Sequence, residues 1–174
     1  MMGIMELRGI FVAAAGMLVA MSSEAEVVAS SDTHFRLHQE GLSPLPPAQL
    51  WQRLTDPASW WHPDHTYSGA ASNLSLDLTA GGLWREDWDG GSVAHGEVLL
   101  VHVGRELRLN APFGPLQGVG AHVVWSITLA PEGEGTRVTF DEVASAAPGA
   151  GLAELARAVD FVKSEAMRRL VGAP

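Results

Sequence analysis

The sequence predicts an α+β fold in which a block of antiparallel strands is closed by one long C-terminal helix. Three observations predict it. Segments that alternate apolar and polar residues follow one another from Phe35 to Val143, most of them separated by Gly-containing turns. Residues 152–170 instead repeat apolar side chains at three- and four-residue steps. Strands and helices are segregated along the chain rather than alternating, which argues against a parallel βαβ sheet.

The first strand starts at His34. Phe35, Leu37 and Gln39 point one way, and His34, Arg36, His38 and Glu40 the other. Ser43-Pro44-Leu45-Pro46-Pro47 ends it, and the prolines suit a first helical turn. Ala48 to Thr55 reads as a short helix with Leu50, Trp51 and Leu54 apolar. Asp56 is placed to cap a second short helix running through Trp61. Strand-like segments follow at Leu74–Leu78, Leu83–Trp88, Val93–Val103, Glu106–Asn110, Ala121–Leu129 and Thr136–Val143. In the last helix Leu152, Leu155, Val159, Val162, Ala166 and Leu170 form the apolar stripe. Arg157, Asp160, Lys163, Glu165, Arg168 and Arg169 take the other positions and are expected to be mostly exposed.

The N-terminus is different in kind. Ile10 to Ala20 is an uninterrupted apolar run of 11 residues, too short to cross a bilayer as a helix but suited to a signal-peptide core. Small residues at cleavage spacing favour processing after Ala25, with Ala29 second. The expected organisation is a signal peptide at 1–25, a linker at 26–33 and one domain at 34–172. Cleavage would export the protein to the periplasm or outside the cell and leave no membrane span; without cleavage it would stay in the cytoplasm.

Composition excludes several classes. The 174 residues carry a formal net charge of −9, and no Lys/Arg cluster interrupts it, so nucleic acid is a poor partner. The absence of Cys rules out disulfides and thiolate metal sites. No G-x-S-x-G elbow, phosphate loop or dinucleotide fingerprint occurs, and no cofactor is expected.

Three strings carry a family resemblance: SPLPPAQLWQRLTDPASWW at Ser43–Trp61, LTAGGLWRE at Leu78–Glu86 and GEGTRVTF at Gly133–Phe140. Their content and order resemble the START/SRPBCC superfamily, nearest to its activator-of-heat-shock-ATPase-like members. Ala80 stands where that family usually has Pro. The resemblance spans about Phe35 to Val171. It implies a helix-grip fold: a curved antiparallel sheet of about seven strands, two short helices, and one long C-terminal helix over an apolar cavity. It implies no universal catalytic motif, since many members bind or carry lipids, polyketides or aromatic molecules and few catalyse.

The hairpin at residues 83–103 supplies the candidate site. With Gly90-Gly91 as a two-residue turn, Trp88 faces Val93, Glu86 faces His95 and Trp84 faces Glu97. All lie on one sheet face, continued by Leu99 and Val101. That face is the more apolar and is assigned inward; a one-residue slip would turn it to solvent. Trp84, Glu86, His95, Glu97, Leu99 and Trp125 are therefore expected to line the cavity, with Leu155, Val159 and Val162 opposite on the helix. A Glu86–His95 pair could orient a polar ligand end, act as acid and base on a ketone, or only satisfy itself. Glu86, His95 and Glu97 also form a mixed nitrogen/oxygen set, but nothing else demands a metal and none is assigned. His62-Pro63-Asp64-His65 matches no metal-ligand spacing and reads as a polar loop. Trp51, Trp60 and Trp61 read as core or as a lid. The functional reading is binding or transport of a small apolar molecule. The alternatives are a cyclase or aromatase using Glu86 and His95, or a co-chaperone-like interaction module.

Overall fold

The structure, a computed structural model, describes residues 25–172. Eight strands form one antiparallel sheet: β1 Ala25–Ser31, β2 His34–Ser43, β3 Leu74–Leu76, β4 Leu83–Trp88, β5 Gly91–His102, β6 Glu106–Asn110, β7 His122–Glu132 and β8 Gly135–Ser145. Their spatial order is β1-β2-β8-β7-β6-β5-β4-β3. Helix α1 spans Pro47–Leu54, α2 Pro115–Gly118 and α3 Leu152–Val171. Single 3-10 turns at Pro57–Ser59, Pro63–His65 and Ala71–Asn73 lead from α1 to β3. The helix-grip arrangement expected from the sequence is present, with α3 packed across the sheet.

The eighth strand is β1, where a linker was expected. Residues 25–31 pair antiparallel with β2 along the sheet edge, and Val27 packs beside Phe35 and Leu37. The apolar run at residues 10–20 lies outside the described residues. Asp56, expected as a side-chain cap, makes no cap hydrogen bond, and the turn it precedes is a single 3-10 turn.

Alternation explains the strands that sit as expected. Phe35, Leu37 and Gln39 on β2 are buried, as are Val138, Phe140, Glu142 and Ala144 on β8. Gln39 fixes the helix to the sheet: its Nε2 donates to the Asp160 carbonyl at 3.0 Å and to Asp160 Oδ1 at 2.8 Å. Gly41 allows the far end of α3 to approach β2, because a Cβ there would meet Met167 Sδ at 2.8 Å. Arg53 of α1 caps the last carbonyls of α3, donating to Gly172 O at 2.6 Å and Arg169 O at 2.7 Å.

Two apolar clusters result. The larger gathers Trp51, Trp60, Trp61, Trp84, Trp125 and Phe140 with the C-terminal half of α3. The smaller packs Phe35, Val123 and Leu116 against Leu152 and Ala156 at its start.

Candidate functional site

The β4–β5 hairpin turns at Asp89-Gly90, with Gly90 at φ +83°, so the register differs by two residues from the expected one. Glu86 pairs with Val93 rather than with His95. A shift of two preserves the face, so Glu86 and His95 still meet as diagonal neighbours. A bulge then changes the strand. Ala94 pairs with Arg85 and Gly96 with Trp84, leaving His95 without a partner of its own. His95 and Gly96 are consecutively buried, and the alternation beyond them inverts. Glu97 and Leu99, expected in the cavity, are consequently exposed on the opposite face. A second irregularity, between Val98 and Leu100, turns Val101 back to the core.

Glu86 is fully buried and its carboxylate is well supplied. It accepts from Tyr67 N at 3.0 Å, Ser68 N at 2.5 Å and His95 Nε2 at 2.9 Å. Burial alone would raise its pKa, but hydrogen bonds from Ser68, Tyr67 and His95 outweigh it and hold the group below the ordinary carboxylate range. It clamps residues 67–68 and orients His95, with little capacity left for a ligand. Burial pushes the His95 pKa below its ordinary value despite the neighbouring carboxylate. With Nε2–H donated to Glu86, Nδ1 is a bare acceptor, and it has no hydrogen-bond partner among the described residues.

A second buried charged pair lies across the fold. Lys163 Nζ is 2.8 Å from Glu142 Oε2, and both side chains are almost wholly buried. Nζ and Oε2 are at hydrogen-bond distance but poorly aligned, and Glu142 Oε1 has no partner among the described residues, so one contact that combines charge and hydrogen bond holds the pair. Nζ also sits 2.9 Å from the centroid of the Trp125 ring. Burial lowers the Lys163 pKa to about 8, against the opposing pull of Glu142. Lys163 was expected on the exposed side of the helix. The signal was present in the spacing, since Lys163 lies four residues from both Val159 and Met167, and Glu142 continues the inward series Val138, Phe140. Two charges on the apolar faces of two packed elements predict an ion pair.

A pocket of about 280 Å³ opens between these pairs. Trp61, His65, Thr66 and Tyr67 form one side, and His95, Phe113, Gly114 and Pro115 another. Helix α3 contributes Ala158, Val159, Val162 and Lys163. The loop is tied to the helix by His65 Nε2 and Glu165 Oε2 at 2.6 Å. Of the expected site residues, His95, Val159 and Val162 line this pocket, and Glu86 stands directly behind His95. Trp84 and Trp125 are buried behind Phe113, in edge-on contact at 5.3 and 5.9 Å. Leu155 packs in the smaller cluster instead, because α3 has turned it toward Phe35 and Val123. Phe113 and Lys163 were missed. Phe113 follows a strand in an Ala-Pro-Phe-Gly link that has no periodicity to read.

Among the described residues no group of three or more His, Asp or Glu side chains could hold a metal ion. Glu97 has left the Glu86–His95 pair, and His62 and His65 are engaged with Asp64 and Glu165.

The family model for activator of Hsp90 ATPase homolog 1-like proteins matches residues 44–170. The chain belongs to this family. This AHSA1-like, SRPBCC-type protein shares its fold with solved structures at low identity. A conserved protein of unknown function from Enterococcus faecalis is 13% identical, with 86% of this chain and 77% of that one covered and a TM-score of 0.56. A Rhodobacter sphaeroides protein is 23% identical over 85% and 96% of the two chains, with a TM-score of 0.55. DynU16, from the dynemicin biosynthetic locus, is 27% identical at a TM-score of 0.50; 80% of this chain covers 47% of that one. No curated protein sequence matches the chain. The fold fits a ligand-binding or interaction module. Among the described residues no helix is long and apolar enough to cross a membrane.

Proposed function

We propose that this AHSA1-like protein binds a small, largely apolar molecule in the pocket between sheet and α3, as a carrier or sequestering protein. The observation that carries this reading is the pocket wall, in which Trp61, Phe113, Val159 and Val162 are apolar while His95 and Lys163 bring two buried polar atoms, Nδ1 and Nζ, close behind it. Apolar walls supply affinity, and a few placed polar atoms orient a ligand. The test is native mass spectrometry of the purified protein with organic extraction, followed by titration with fatty acids, sterols and aromatic ketones. A bound or titratable apolar molecule is the expected result. An empty protein that binds none of these overturns the reading and favours the interaction module.

One observation favours a second reading. The Glu86–His95 dyad leaves a bare imidazole nitrogen at the same pocket as a lysine whose pKa is about 8, an acceptor and a donor for proton transfer. DynU16, to which the chain is similar, comes from the dynemicin biosynthetic locus, which supports a reading as an enzyme acting on a polyketide-like ketone. Loss of turnover with unchanged ketone binding in His95→Gln would support this reading.

We also propose export. Cleavage after Ala25 would preserve nearly all of β1, whereas cleavage after Ala29 would remove most of its pairing with β2. N-terminal sequencing of the mature protein, with Glu26 expected first, tests this.

A further inference from the structure

We propose that Phe113 is a plug standing in the seat of a planar hydroxyaromatic ligand, whose ring would stack between His95 and Trp61 and whose oxygen would meet Lys163. The proposal rests on the binding reading above and adds the ligand class and a gate.

The first support is the ring's surroundings. Phe113 stacks on His95 at 5.2 Å with planes 15° apart, and on Trp61 at 5.3 Å with planes 27° apart. Trp84 and Trp125 meet it edge-on, and Lys163 Nζ is 5.0 Å from its centroid. Parallel rings, edge contacts and a cation over the face are what a flat aromatic guest requires.

The second support is polar. The groups around this hydrocarbon ring include two unpartnered buried donors, Trp84 Nε1 and Trp125 Nε1, one unpartnered acceptor, His95 Nδ1, and the Lys163 ammonium, whose one close oxygen is Glu142 Oε2 at 2.8 Å. A phenyl ring satisfies none of them, and leaving buried polar atoms unpaired is costly. A hydroxyl oxygen in the plane of the guest ring can accept from an N–H of the Lys163 ammonium. An aromatic carboxylate suits the site less, because Glu142 already stands 2.8 Å from Lys163 and would repel a second anion.

The third support is the attachment of the ring. Phe113 belongs to neither strand nor helix, and its N–H bonds only within the link, to Ala111 O at 2.8 Å. Gly114 follows at φ +55°. Phe113 lines the pocket, while Trp84 and Trp125 touch it and do not line the pocket. Swinging the ring out would join the pocket to the polar groups behind it.

The test is calorimetric titration of the full chain with 2-naphthol, naphthalene and 2-naphthoate, in wild type, Phe113→Ala and Phe113→Leu, each checked by circular dichroism. We expect 2-naphthol to bind Phe113→Ala at least tenfold more tightly than wild type, with Phe113→Leu between them. In Phe113→Ala, 2-naphthol should exceed both naphthalene and 2-naphthoate about tenfold. If Phe113→Ala does not fold, Phe113→Leu decides alone. Unchanged or weaker 2-naphthol binding in the folded variants overturns the plug. Equal binding of naphthalene and 2-naphthol overturns the role of the polar atoms. Failure of all three probes while fatty acids or sterols bind sinks this proposal but leaves the carrier reading standing. Failure of every ligand sinks both.

Discussion

Glu86 and Glu142 are the two carboxylates buried among the described residues, and they are held in opposite ways. Glu86, at the lid end of the sheet, accepts from two backbone N–H groups and an imidazole. Glu142, under α3, has only a lysine at ion-pair distance and no aligned donor. Hydrogen bonds to the first carboxylate replace its lost hydration and fix a loop. The second is balanced by a single lysine, whose remaining N–H groups keep donor capacity near the pocket. A saturated buried charge is architecture. An undersupplied one beside a pocket is a place for a ligand.

The largest effect should come from breaking the second pair. Lys163→Met strands Glu142 and is expected to cost about 3–5 kcal/mol in urea denaturation, whereas Lys163→Met with Glu142→Leu should recover most of that loss. A harmless single variant would mean that the pair contributes nothing to stability. Glu86→Ala removes the acceptor of three donors and should cost about 3 kcal/mol, with hydrogen exchange accelerated at Tyr67 and Ser68. Persisting protection of those amides would show that the loop is held elsewhere.

Titration separates the two regions further. The Lys163 pKa is about 8 in the folded protein against an ordinary 10.5, so the unfolded chain binds more protons between those values. Its contribution to stability therefore rises with pH across that window, by at most about 3 kcal/mol, relative to the Lys163→Met/Glu142→Leu variant. Glu86 and His95 also have folded values below their ordinary ones. Their stabilisation is present above the unfolded values and is lost as pH falls, first through His95 and then through Glu86. An identical pH profile of wild type and the double variant above pH 8 would remove Lys163 from the account. The smallest effect is expected one residue from Glu142. Asp141 faces solvent with His38 Nδ1 at 2.9 Å, and Asp141→Asn should cost less than about 1 kcal/mol in the same denaturation assay.

Much of the architecture was legible because period and burial agree. Phe35, Leu37 and Gln39 are buried at the expected alternate positions, and α3 begins and ends where its stripe does. The Glu86–His95 contact was legible for a subtler reason. The turn lies elsewhere than expected, but a shift of two residues leaves both side chains on the same face. Glu97 and Leu99 were misplaced because one unpaired residue at His95 inverts the alternation as far as the second irregularity at Val98–Leu100, and no composition signal marks that bulge. Lys163 and Glu142 were in view but were read one element at a time.

The sequence by itself determined the α+β order, the faces of the regular strands such as β2 and most of the helix stripe, because side-chain period and apolar burial are local properties of each segment. Tertiary structure alone decided that β1 joins the sheet edge, that His95 bulges inward, and that Lys163 meets Glu142 behind Phe113. The edge that β1 joins exists because β2 pairs with β8 across about a hundred residues of chain, and the other outcomes depend on contacts no single strand or helix encodes.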